Sequence, residues 1–398
     1  MNKAILNTGV QDFILKNINT DIVSFLLKKP VFDTISSKEL AEQIESKNKS
    51  KKKLPTWFET PLIYYPKKLN IEQTSSEATA RYKSKIVSGK SLVDLTGGFG
   101  VDSYFFSQKI NSVLHCEIEP NLAKIAAYNF KVLGAKNIQM YPGDGLQFLK
   151  ESNEQFDWIY IDPSRRSDKK EKVFHLSDCT PDITEHFSLF FSSANNILIK
   201  TAPFLDISAA IKDLPNIKEI HILAIKGEVK ELLWVLKKDF WGEVLVKTAN
   251  LNNNNVQTFD FLLHEEKEAR SSFHLPLDYL YEPNGAILKS GAFKTIGNRF
   301  SLLKIHRHTH LFTSKELVEF PGRRFIIKEY LAYDKKIKHF LNGIKANIST
   351  KNFPITVAQI KKKHKIKDGG TIYLIFITDL NDKLLVLNCE KVNKTQTI

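Results

Sequence analysis

The sequence predicts an α/β protein whose parallel sheet lies between an N-terminal helical region and small C-terminal α+β domains. Apolar residues recur with a helical period before residue 73, and strand-like segments alternate with helical ones after it. Such alternation is typical of βαβ units and therefore of a parallel sheet. Because 398 residues exceed what one hydrophobic core usually supports, we expect roughly two to four domains.

The N-terminal helical region is predicted over residues 1–72. Its apolar residues have an approximately helical spacing, at Phe13, Ile14, Ile18, Ile22, Phe25 and Leu26. Ser36 or Ser37 is a suitable N-cap for a helix through the segment KELAEQI. A group of lysines follows before the segment LPTWF, and we interpret it as a solvated basic loop: Lys47, Lys49, Lys51, Lys52 and Lys53.

The sheet is predicted over residues 73–265. The strand-like segments are, in chain order, SLVDL, SVLHCEI, IQMY, WIYI and NILIK. Helices are expected between them, at Ser76–Lys85, from Val101, at Asn121–Leu133 and near Leu146–Lys150. Full helical spacers are missing farther on, and Asn252–Asn255 is predicted as the tip of a hairpin between two antiparallel strands.

Two small α+β domains are predicted after the sheet, over residues 274–321 and 322–398. The first begins with a proline-bearing transition. In the second we expect a strand at Arg323–Tyr330, helices at Lys335–Ile344 and Thr356–Lys365, and a final hairpin that turns at Asn381–Asp382.

The net charge of +14 is concentrated at the C-terminal end of the chain. Residues 322–398 contain 16 Lys and Arg against 6 Asp and Glu, a surplus of ten. A basic region of this kind favours binding to polyanions, although it also serves general solubility. We predict that its densest lysines contact a nucleic-acid substrate: Lys361, Lys362, Lys363 and Lys365.

Composition argues against several classes of protein. No segment approaches the roughly 20 apolar residues of a membrane helix, and no signal peptide is recognisable. The three cysteines, Cys116, Cys179 and Cys389, are far apart and suggest neither a disulfide framework nor a zinc site. We therefore expect a cytoplasmic protein that binds no metal and no membrane.

Acidic residues follow four consecutive predicted strands: Asp94, Glu117, Asp144 and Asp162. In open α/β sheets, ligands bind beyond the carboxyl ends of the strands. Any one of these acids would also serve as an ordinary helix N-cap. Four of them beside a glycine loop favour a ligand with a cation, a ribose diol and an adenine, which is the composition of S-adenosylmethionine.

The glycine loop DLTGGFGVDS contains Gly97, Gly98 and Gly100. These glycines allow a tight turn and a close approach of a ligand to the backbone at a helix N-terminus. A dinucleotide is disfavoured, because Ser103 stands where a third glycine would be and the acids would repel a pyrophosphate.

The motifs VDLTGGFGVDS, HCEIEP, GD and IDPSRR resemble those of class I S-adenosylmethionine-dependent methyltransferases with a Rossmann-like sheet. More narrowly, KKKLPTWF, EQTSSEATARYK, IKTAPFLDIS, GEVKELLW and NFPITVAQIKKKHKIKDGGTIYL resemble a bacterial family with a small ferredoxin-like insert and a C-terminal THUMP-like domain. The resemblance covers nearly the whole chain. It implies RNA methylation, because characterised THUMP domains accompany RNA-modifying enzymes.

The resemblance also implies roles for the strand-end residues. The methionine moiety is expected at Asp94, Gly98 and Gly100, the ribose at Glu117 and the adenine near Asp144. Thr96 stands where many members of the wider class have glycine, and we include it and Gly97 among the cofactor-binding residues.

Catalysis is expected at the corner formed by Asp162 and Pro163. A carboxylate there can accept a hydrogen bond from the acceptor group or take its proton, and proline fixes the backbone after it. Arg165 and Arg166 are predicted to contact substrate, although one of them would also suit an ion pair with Glu171. Methyltransferases of exocyclic amines usually carry an aromatic residue where Arg165 stands, so the corner is not a simple copy of theirs.

Methylation of an RNA base nitrogen is the reaction that we favour, but several acceptors and functions remain open. Asp162, Lys200 and Glu228 or Glu231 resemble the catalytic set of ribose 2′-hydroxyl methyltransferases, with Lys83 or Lys85 as the first lysine. Methylation of a pyrimidine carbon needs a cysteine nucleophile, for which only the remote Cys179 is available. The sequence is also compatible with a DNA base methyltransferase and with a non-catalytic RNA-binding protein.

Overall fold

The computed structural model describes residues 1–27, 30–165, 176–252 and 255–392. The chain forms two compact units: residues 1–218 with 233–241, and residues 219–232 with 242–398. Within the described ranges, no helix is both long and apolar enough to cross a membrane.

The first unit begins with short helices packed around one apolar core. Trp57 and Tyr65 are buried at its centre, next to Phe105 from the sheet region. The helices are α1 (Thr8–Lys16), α2 (Ile22–Leu26), α3 (Ser37–Lys53), α4 (Pro55–Glu59), α5 (Lys68–Gln73) and α6 (Glu77–Lys83).

Helix α3 corrects the interpretation of the N-terminal lysines as a loop. Ser36 caps it, and Ser36 and Glu39 form a reciprocal capping box. The helix then continues through all the lysines to Lys53. Lysine is a good helix former and is favoured by the dipole at a helix C-terminus, so the basic run prolongs the helix instead of ending it.

The rest of the first unit is an alternating βα region. Its elements are β1 (Ser91–Asp94), α7 (Val101–Ser107), β2 (Ser112–Cys116), α8 (Pro120–Val132), β3 (Ile138–Tyr141), α9 (Gly145–Glu151), β4 (Phe156–Ile161), β5 (Ser164–Arg165), β6 (Cys179–Thr180), α10 (Phe187–Ser193), β7 (Ala194–Thr201) and α11 (Ile207–Asp213). The predicted strands and helices of this region are present, with ends that differ by a few residues.

Strands β1, β2, β3, β4 and β7 are parallel and adjacent in the order β3-β2-β1-β4-β7. The chain first builds outward from β1 to β3, and then returns to add β4 and β7 on the other side of β1. This reversal creates a crevice between β1 and β4 at the carboxyl ends of the strands, where α/β sheets bind ligands. The α/β fold with a parallel sheet predicted from the sequence is confirmed.

The second unit contains the later strands. They begin with β8 (Ile217–Ile225), β9 (Glu228–Lys237), β10 (Leu245–Asn252) and β11 (Asn255–Leu262). The units divide β8 after Lys218 and β9 after Leu232. Strand β10 is parallel to β8 and antiparallel to β11, as a hairpin requires. The two central residues of the predicted hairpin tip, Asn253 and Asn254, lie outside the described residues.

A seven-stranded sheet follows in the second unit, with the order β13-β14-β12-β15-β18-β17-β16. Its elements, with the preceding helix α12, are α12 (Leu263–Glu268), β12 (Tyr279–Pro283), α13 (Gly285–Ser290), α14 (Thr295–Arg299), β13 (Leu303–Lys304), β14 (Phe312–Ser314), β15 (Gly322–Ala332), α15 (Ile337–Leu341), β16 (Asn347–Lys351), α16 (Val357–His364), β17 (Ile372–Thr378) and β18 (Leu384–Lys391). Because β12 pairs with β15 from Tyr279 to Pro283, the sheet runs through the predicted boundary at residues 321 and 322.

Candidate active site

A cavity of about 690 Å³ opens at the carboxyl ends of the parallel strands in the first unit. Its volume is in the range of small-molecule sites. The loops after β1, β2, β3, β4 and β7 all contribute to its wall. The predicted site residues that line it are Asp94, Thr96, Gly97, Gly98, Glu117, Asp144, Asp162 and Lys200.

Asp94, at the end of β1, is fully buried and held by two hydrogen bonds. Its carboxylate accepts one from the Thr96 N–H (3.0 Å) and one from the Ser103 hydroxyl (2.6 Å). Burial raises the pKa of Asp94 to about 7; the two hydrogen bonds oppose this rise, and the nearby carboxylates of Asp102 and Asp162 add to it. At neutral pH this carboxyl group is therefore close to the midpoint of its titration.

His115, on β2, is linked to Asp94 through the hydroxyl of Ser103. Its Nδ1 lies 2.8 Å from the Ser103 hydroxyl that contacts Asp94. Burial lowers the pKa of His115 to about 3, so the ring is neutral at physiological pH. A Cβ at position 97 would lie 2.2 Å from the His115 ring, which is why Gly97 must be glycine.

Glu117 ties the glycine loop to the end of β2. One carboxylate oxygen accepts a hydrogen bond from the Gly98 N–H (2.7 Å), and the other accepts one from the Glu119 N–H (2.7 Å). Each oxygen retains a second lone pair, so the carboxylate can still accept hydrogen bonds from a ligand.

Gly100 was predicted to lie against the methionine moiety, but it is not part of the cavity wall. Its φ of +86° is left-handed, and a Cβ there would lie 2.4 Å from the Phe130 ring. The glycine is required for packing between the loop and helix α8, rather than for the approach of a ligand.

Asp144 is both a helix N-cap and part of the cavity wall, and the sequence allowed either role. It is the N-cap of α9, because its carboxylate accepts a hydrogen bond from the Leu146 N–H (2.8 Å). It also lines the cavity. Asp94 and Glu117, by contrast, contact loop and side-chain donors and cap no helix.

Asp162 and Lys200 form an ion pair at the ends of neighbouring strands. Ile161 of β4 is directly opposite Ile199 of β7, so the next residue of each strand reaches the same point of the sheet edge. The Lys200 ammonium donates to Oδ2 of Asp162. The backbone N–H of Asp162 donates to the Thr96 hydroxyl (2.7 Å), which fixes the carboxylate beside the glycine loop.

The residues after Asp162 are only partly described. Pro163 follows it but is not part of the cavity wall, whereas Ser164 is. Arg165 pairs through its backbone with Cys179, in the short ladder of β5 and β6. Arg166 and Glu171 lie outside the described residues.

A buried polar group in the cavity wall was not predicted as part of the cofactor site. Asp102 accepts hydrogen bonds from the hydroxyls of Ser75 (2.7 Å) and Tyr160 (2.8 Å). Burial alone would raise the pKa of Asp102, but Lys83, 3.2 Å away, and Lys200 outweigh it, and the pKa is lowered. The sequence named Lys83 only as a candidate first lysine of the ribose-type set, and its complete burial on α6 is visible in the structure alone.

Part of the wall comes from the end of α5 and the residues after it, where no site residue was predicted. It consists of Asn70, Gln73, Thr74 and Ser75, around the end of α5. These residues follow no strand, so the rule that located the acids does not find them.

The two candidate glutamates of the predicted ribose-type set do not line the cavity. Glu228 and Glu231 belong to the second unit. Glu228 is exposed and pairs with Lys230 (2.6 Å), and Glu231 is buried.

The predicted RNA-binding lysines lie in the second unit, at the end of α16. Lys361 pairs with Asp368, Lys362 is exposed, and Lys365 ends the helix in a left-handed conformation (φ +52°). Lys363 contributes to a separate cavity of about 530 Å³.

We call this second cavity the basic pocket; its lining residues are Tyr333, Asp334, Lys335, Lys338, Lys363 and His364. The Lys363 ammonium lies 5.0 Å from the centre of the Tyr333 ring and donates to its hydroxyl (3.1 Å). That hydroxyl lies 3.0 Å from Nε2 of His364, while Nδ1 of His364 is buried and has no hydrogen-bond partner in the part of the chain that is described. Burial and the charges of Lys363 and Lys338 lower the pKa of His364.

Comparison with known proteins supports the domain composition. Two family models match, a ferredoxin-like domain at residues 279–321 and a THUMP domain-like one at residues 322–391. No curated protein matches the chain. The family resemblance seen in the sequence is confirmed by these matches and by a solved relative.

That relative is a protein of Porphyromonas gingivalis W83, which is named a methyltransferase only provisionally. It is 30% identical, with a TM-score of 0.89, and the match covers 98% of this chain and 99% of the other. Two other solved structures match less than half of this chain. TrmK of M. capricolum with S-adenosyl-homocysteine is 15% identical over 41% of this chain and 69% of its own (TM-score 0.32), and a methyltransferase of Geobacter sulfurreducens is 14% identical over 41% and 78% (TM-score 0.30).

Those two similarities are too low to carry an argument about this site. The match to the Porphyromonas gingivalis protein extends over both chains almost completely. The chain therefore belongs to the family of that protein, and it carries a ferredoxin-like and a THUMP-like domain after its α/β sheet.

Proposed function

We propose that this protein is an S-adenosylmethionine-dependent methyltransferase that methylates a base nitrogen of RNA, tRNA or rRNA, with Asp162 orienting the acceptor. One observation carries the proposal: a single cavity at the sheet reversal joins the acids that follow β1, β2, β3 and β4. The strand order places three of them on one side of Asp162 and Lys200 on the other.

The cofactor half of the cavity is the side of β1, β2 and β3. Asp94 would hold the cationic methionine end, Glu117 the ribose hydroxyls and Asp144 the adenine amine, with the backbone of Gly97 and Gly98 alongside. The residues fit this group, because the carboxylates of Glu117 and Asp144 retain free lone pairs towards the cavity. Such a cofactor supplies an electrophilic methyl group.

The acceptor half lies at β4 and β7. Lys200 binds Oδ2 of Asp162, and among the described residues no group donates to Oδ1. That oxygen can accept a hydrogen bond from the N–H of an acceptor and align its lone pair with the methyl group. Lys200 holds the carboxylate in place through its contact with Oδ2.

Substrate capture is assigned to the second unit. Its C-terminal part has a surplus of ten positive charges, and no ion pair involves Lys335, Lys338 or Lys363 of the basic pocket among the described residues. Lysines without acidic partners can neutralise backbone phosphates, which supplies affinity without sequence specificity.

A ribose 2′-hydroxyl is the second candidate acceptor, and the Asp162–Lys200 ion pair is the observation that favours it. In that reaction a lysine among carboxylates would assist removal of the hydroxyl proton. Asp102, which lines the same cavity, forms a second acid–lysine pair with the buried Lys83.

Nucleoside analysis of a deletion strain tests the proposal. Total RNA from the strain should lack one methylated nucleoside, and purified protein with S-adenosylmethionine should restore it. Mass spectrometry of the fragments assigns the methyl group to the base or to the ribose, which separates the two candidates. If the methylated nucleosides of the deletion strain are unchanged, and the protein adds no methyl group to its RNA, the proposal is wrong.

A further inference from the structure

Phe204 is an aromatic side chain that the fold leaves in solvent. Its side chain is 81% exposed, whereas the next residue, Leu205, is 1% exposed. A turn causes this difference, because the Leu205 N–H donates to the Ala202 carbonyl (3.2 Å) and directs Leu205 into the core. Asp206 then caps helix α11, so the turn is held on both sides.

The turn lies at the acceptor half of the cavity. Lys200 and Ala202 both line the cavity, and Phe204, two residues farther along the chain, is not itself part of the wall. Lys200 is the ion-pair partner of Asp162 on the neighbouring strand, and adjacent strands lie roughly 4.8 Å apart. The loop that carries Phe204 therefore leaves the sheet on the side of β4 away from β1, β2 and β3, the strands followed by the predicted cofactor residues.

The acceptor half otherwise offers little apolar surface to a planar ring. Phe99 and Tyr160 are the aromatic residues in the described cavity wall, and both are buried, with 2% and 1% exposed. The corner after Asp162 has Arg165 at the position where an aromatic residue would stack on an extruded base. The free energy of stacking on an aromatic side chain is large enough to position a base, and it depends little on which base is stacked.

We propose that Phe204 is the platform on which the target base stacks while Asp162 holds its N–H. This inference rests on the proposed function, because it takes the acceptor to be a nucleobase. It assigns to the loop after β7 the task that a stacking aromatic residue after the Asp-Pro corner would perform. Phe204 would contact the substrate and would take no part in proton transfer.

Trp241 provides a matched control. It is 91% exposed and belongs to the same unit. It follows β9 near the beginning of β7, where the Lys238 N–H donates to the Asn195 carbonyl, at the opposite end of that strand from Lys200. Loss of this exposed aromatic should not affect a base held at the cavity.

The first measurement is methyl transfer to total RNA from a deletion strain, with kcat and KM determined separately. Phe204→Ala should lower kcat/KM roughly 10- to 100-fold, and Phe204→Tyr should restore most of it, because stacking of one base is worth that much. Phe204→Leu should recover only part. Trp241→Ala should match the wild type, and the thermal midpoint and cofactor affinity of all variants should be unchanged, since both side chains are exposed.

The second measurement does not depend on catalysis. Photoreactive p-benzoylphenylalanine at position 204, but not at position 241, should crosslink to the same RNA in the presence of S-adenosylhomocysteine. If Phe204→Ala transfers methyl groups like the wild type, or if the two positions crosslink equally, the stacking role is wrong. Crosslinking at position 204 by a protein that transfers no methyl group would support stacking and overturn only the proposed function.

Discussion

Asp94 is the residue whose charge state we expect to affect cofactor binding most. Its pKa of about 7 lies well above the ordinary 3.8 of an aspartate, so below pH 7 the carboxyl group is mainly protonated. A cationic ligand favours the ionised form. His115 stays neutral over this range because its pKa is about 3, so it does not add to the effect.

We therefore expect the affinity for S-adenosylmethionine to be about tenfold lower at pH 6 than at pH 8, because about one tenth of Asp94 is ionised at pH 6. Isothermal titration calorimetry at several pH values measures this. The Asp94→Asn variant should bind more weakly and lose the part of the dependence that is due to Asp94; titration of the ligand itself is common to both proteins. The same pH dependence in both proteins would contradict the role of Asp94.

Glu117 is expected to bind the ribose hydroxyls. Glu117→Gln keeps the shape and one acceptor oxygen but removes the charge, and each charge-assisted hydrogen bond is worth about 1.5–3 kcal/mol. Cofactor affinity should fall at least tenfold in calorimetry. The Gln variant is preferable to Ala, because Glu117 also holds the N–H groups of Gly98 and Glu119.

The control for this variant is Glu119→Gln. Glu119 is two residues away and caps helix α8, but it is not in the cavity wall. It should lose some stability and little cofactor affinity. Equal losses of affinity in the two variants would mean that the loop, and not the ribose contact, is responsible.

At the level of elements, sequence patterns located the strands but not the contacts between them. The pattern of a strand followed by an acid identified the cavity-lining residues Asp94, Glu117, Asp144 and Asp162, because the residues that follow parallel strands lie at the ligand-binding edge. The Asp162–Lys200 pair needed the register of β4 with β7, which no local pattern contains. The packing of Gly100 against Phe130 likewise depends on two elements meeting.

The lysines of helix α3 and of the basic pocket also show what sequence patterns could not predict. Helix α3 includes the run of lysines that was predicted as a loop. The helix propensity of lysine and its favourable interaction with the helix dipole outweighed the absence of apolar residues. In the basic pocket, Lys363 joins Lys335 and Lys338 from another helix and the turn before it. Their assembly depends on tertiary packing, and the sequence indicated only that the region is basic.

The basic pocket carries the prediction at this scale. Replacing Lys335, Lys338 and Lys363 by glutamine should weaken RNA binding, and should lower the slope of log affinity against log salt by about 2, since each phosphate contact contributes ~0.7–0.9. Fluorescence anisotropy with cellular RNA at several salt concentrations measures the slope.

Three exposed lysines before strands β1, β2 and β3 provide the control: Lys90, Lys109 and Lys136. Their replacement by glutamine removes the same charge at the end of the sheet opposite to the cavity. An equal loss of slope in both triple variants would show that total charge, and not the basic pocket, captures the RNA.

At the scale of the whole molecule, the two C-terminal domain matches form one sheet. Strand β12 of the ferredoxin-like segment pairs with β15 of the THUMP-like segment, and β15 pairs with β18 near the chain end. The residues between positions 279 and 321 therefore depend on a strand that comes later in the sequence.

A chain that ends at Pro321 should lose the ordered structure of residues 279–321, because β12 would keep only the three-residue strand β14 as a neighbour. Limited proteolysis with mass spectrometry should find new cleavage sites in this segment, while the full chain stays protected there. If the segment is equally protected in both chains, it folds independently. Point variants are for this reason better tests of RNA capture than truncation.

The central claim is that Asp162 acts on the acceptor in a cavity that also binds S-adenosylmethionine. Single-turnover transfer of labelled methyl groups to RNA from a deletion strain tests it most directly, with Asp162→Asn beside the wild type and calorimetry of cofactor binding for both. The account predicts a rate lower by about 10²–10⁴, the usual contribution of a general base, with cofactor affinity nearly unchanged. An Asp162→Asn protein that methylates the RNA at the wild-type rate would contradict it.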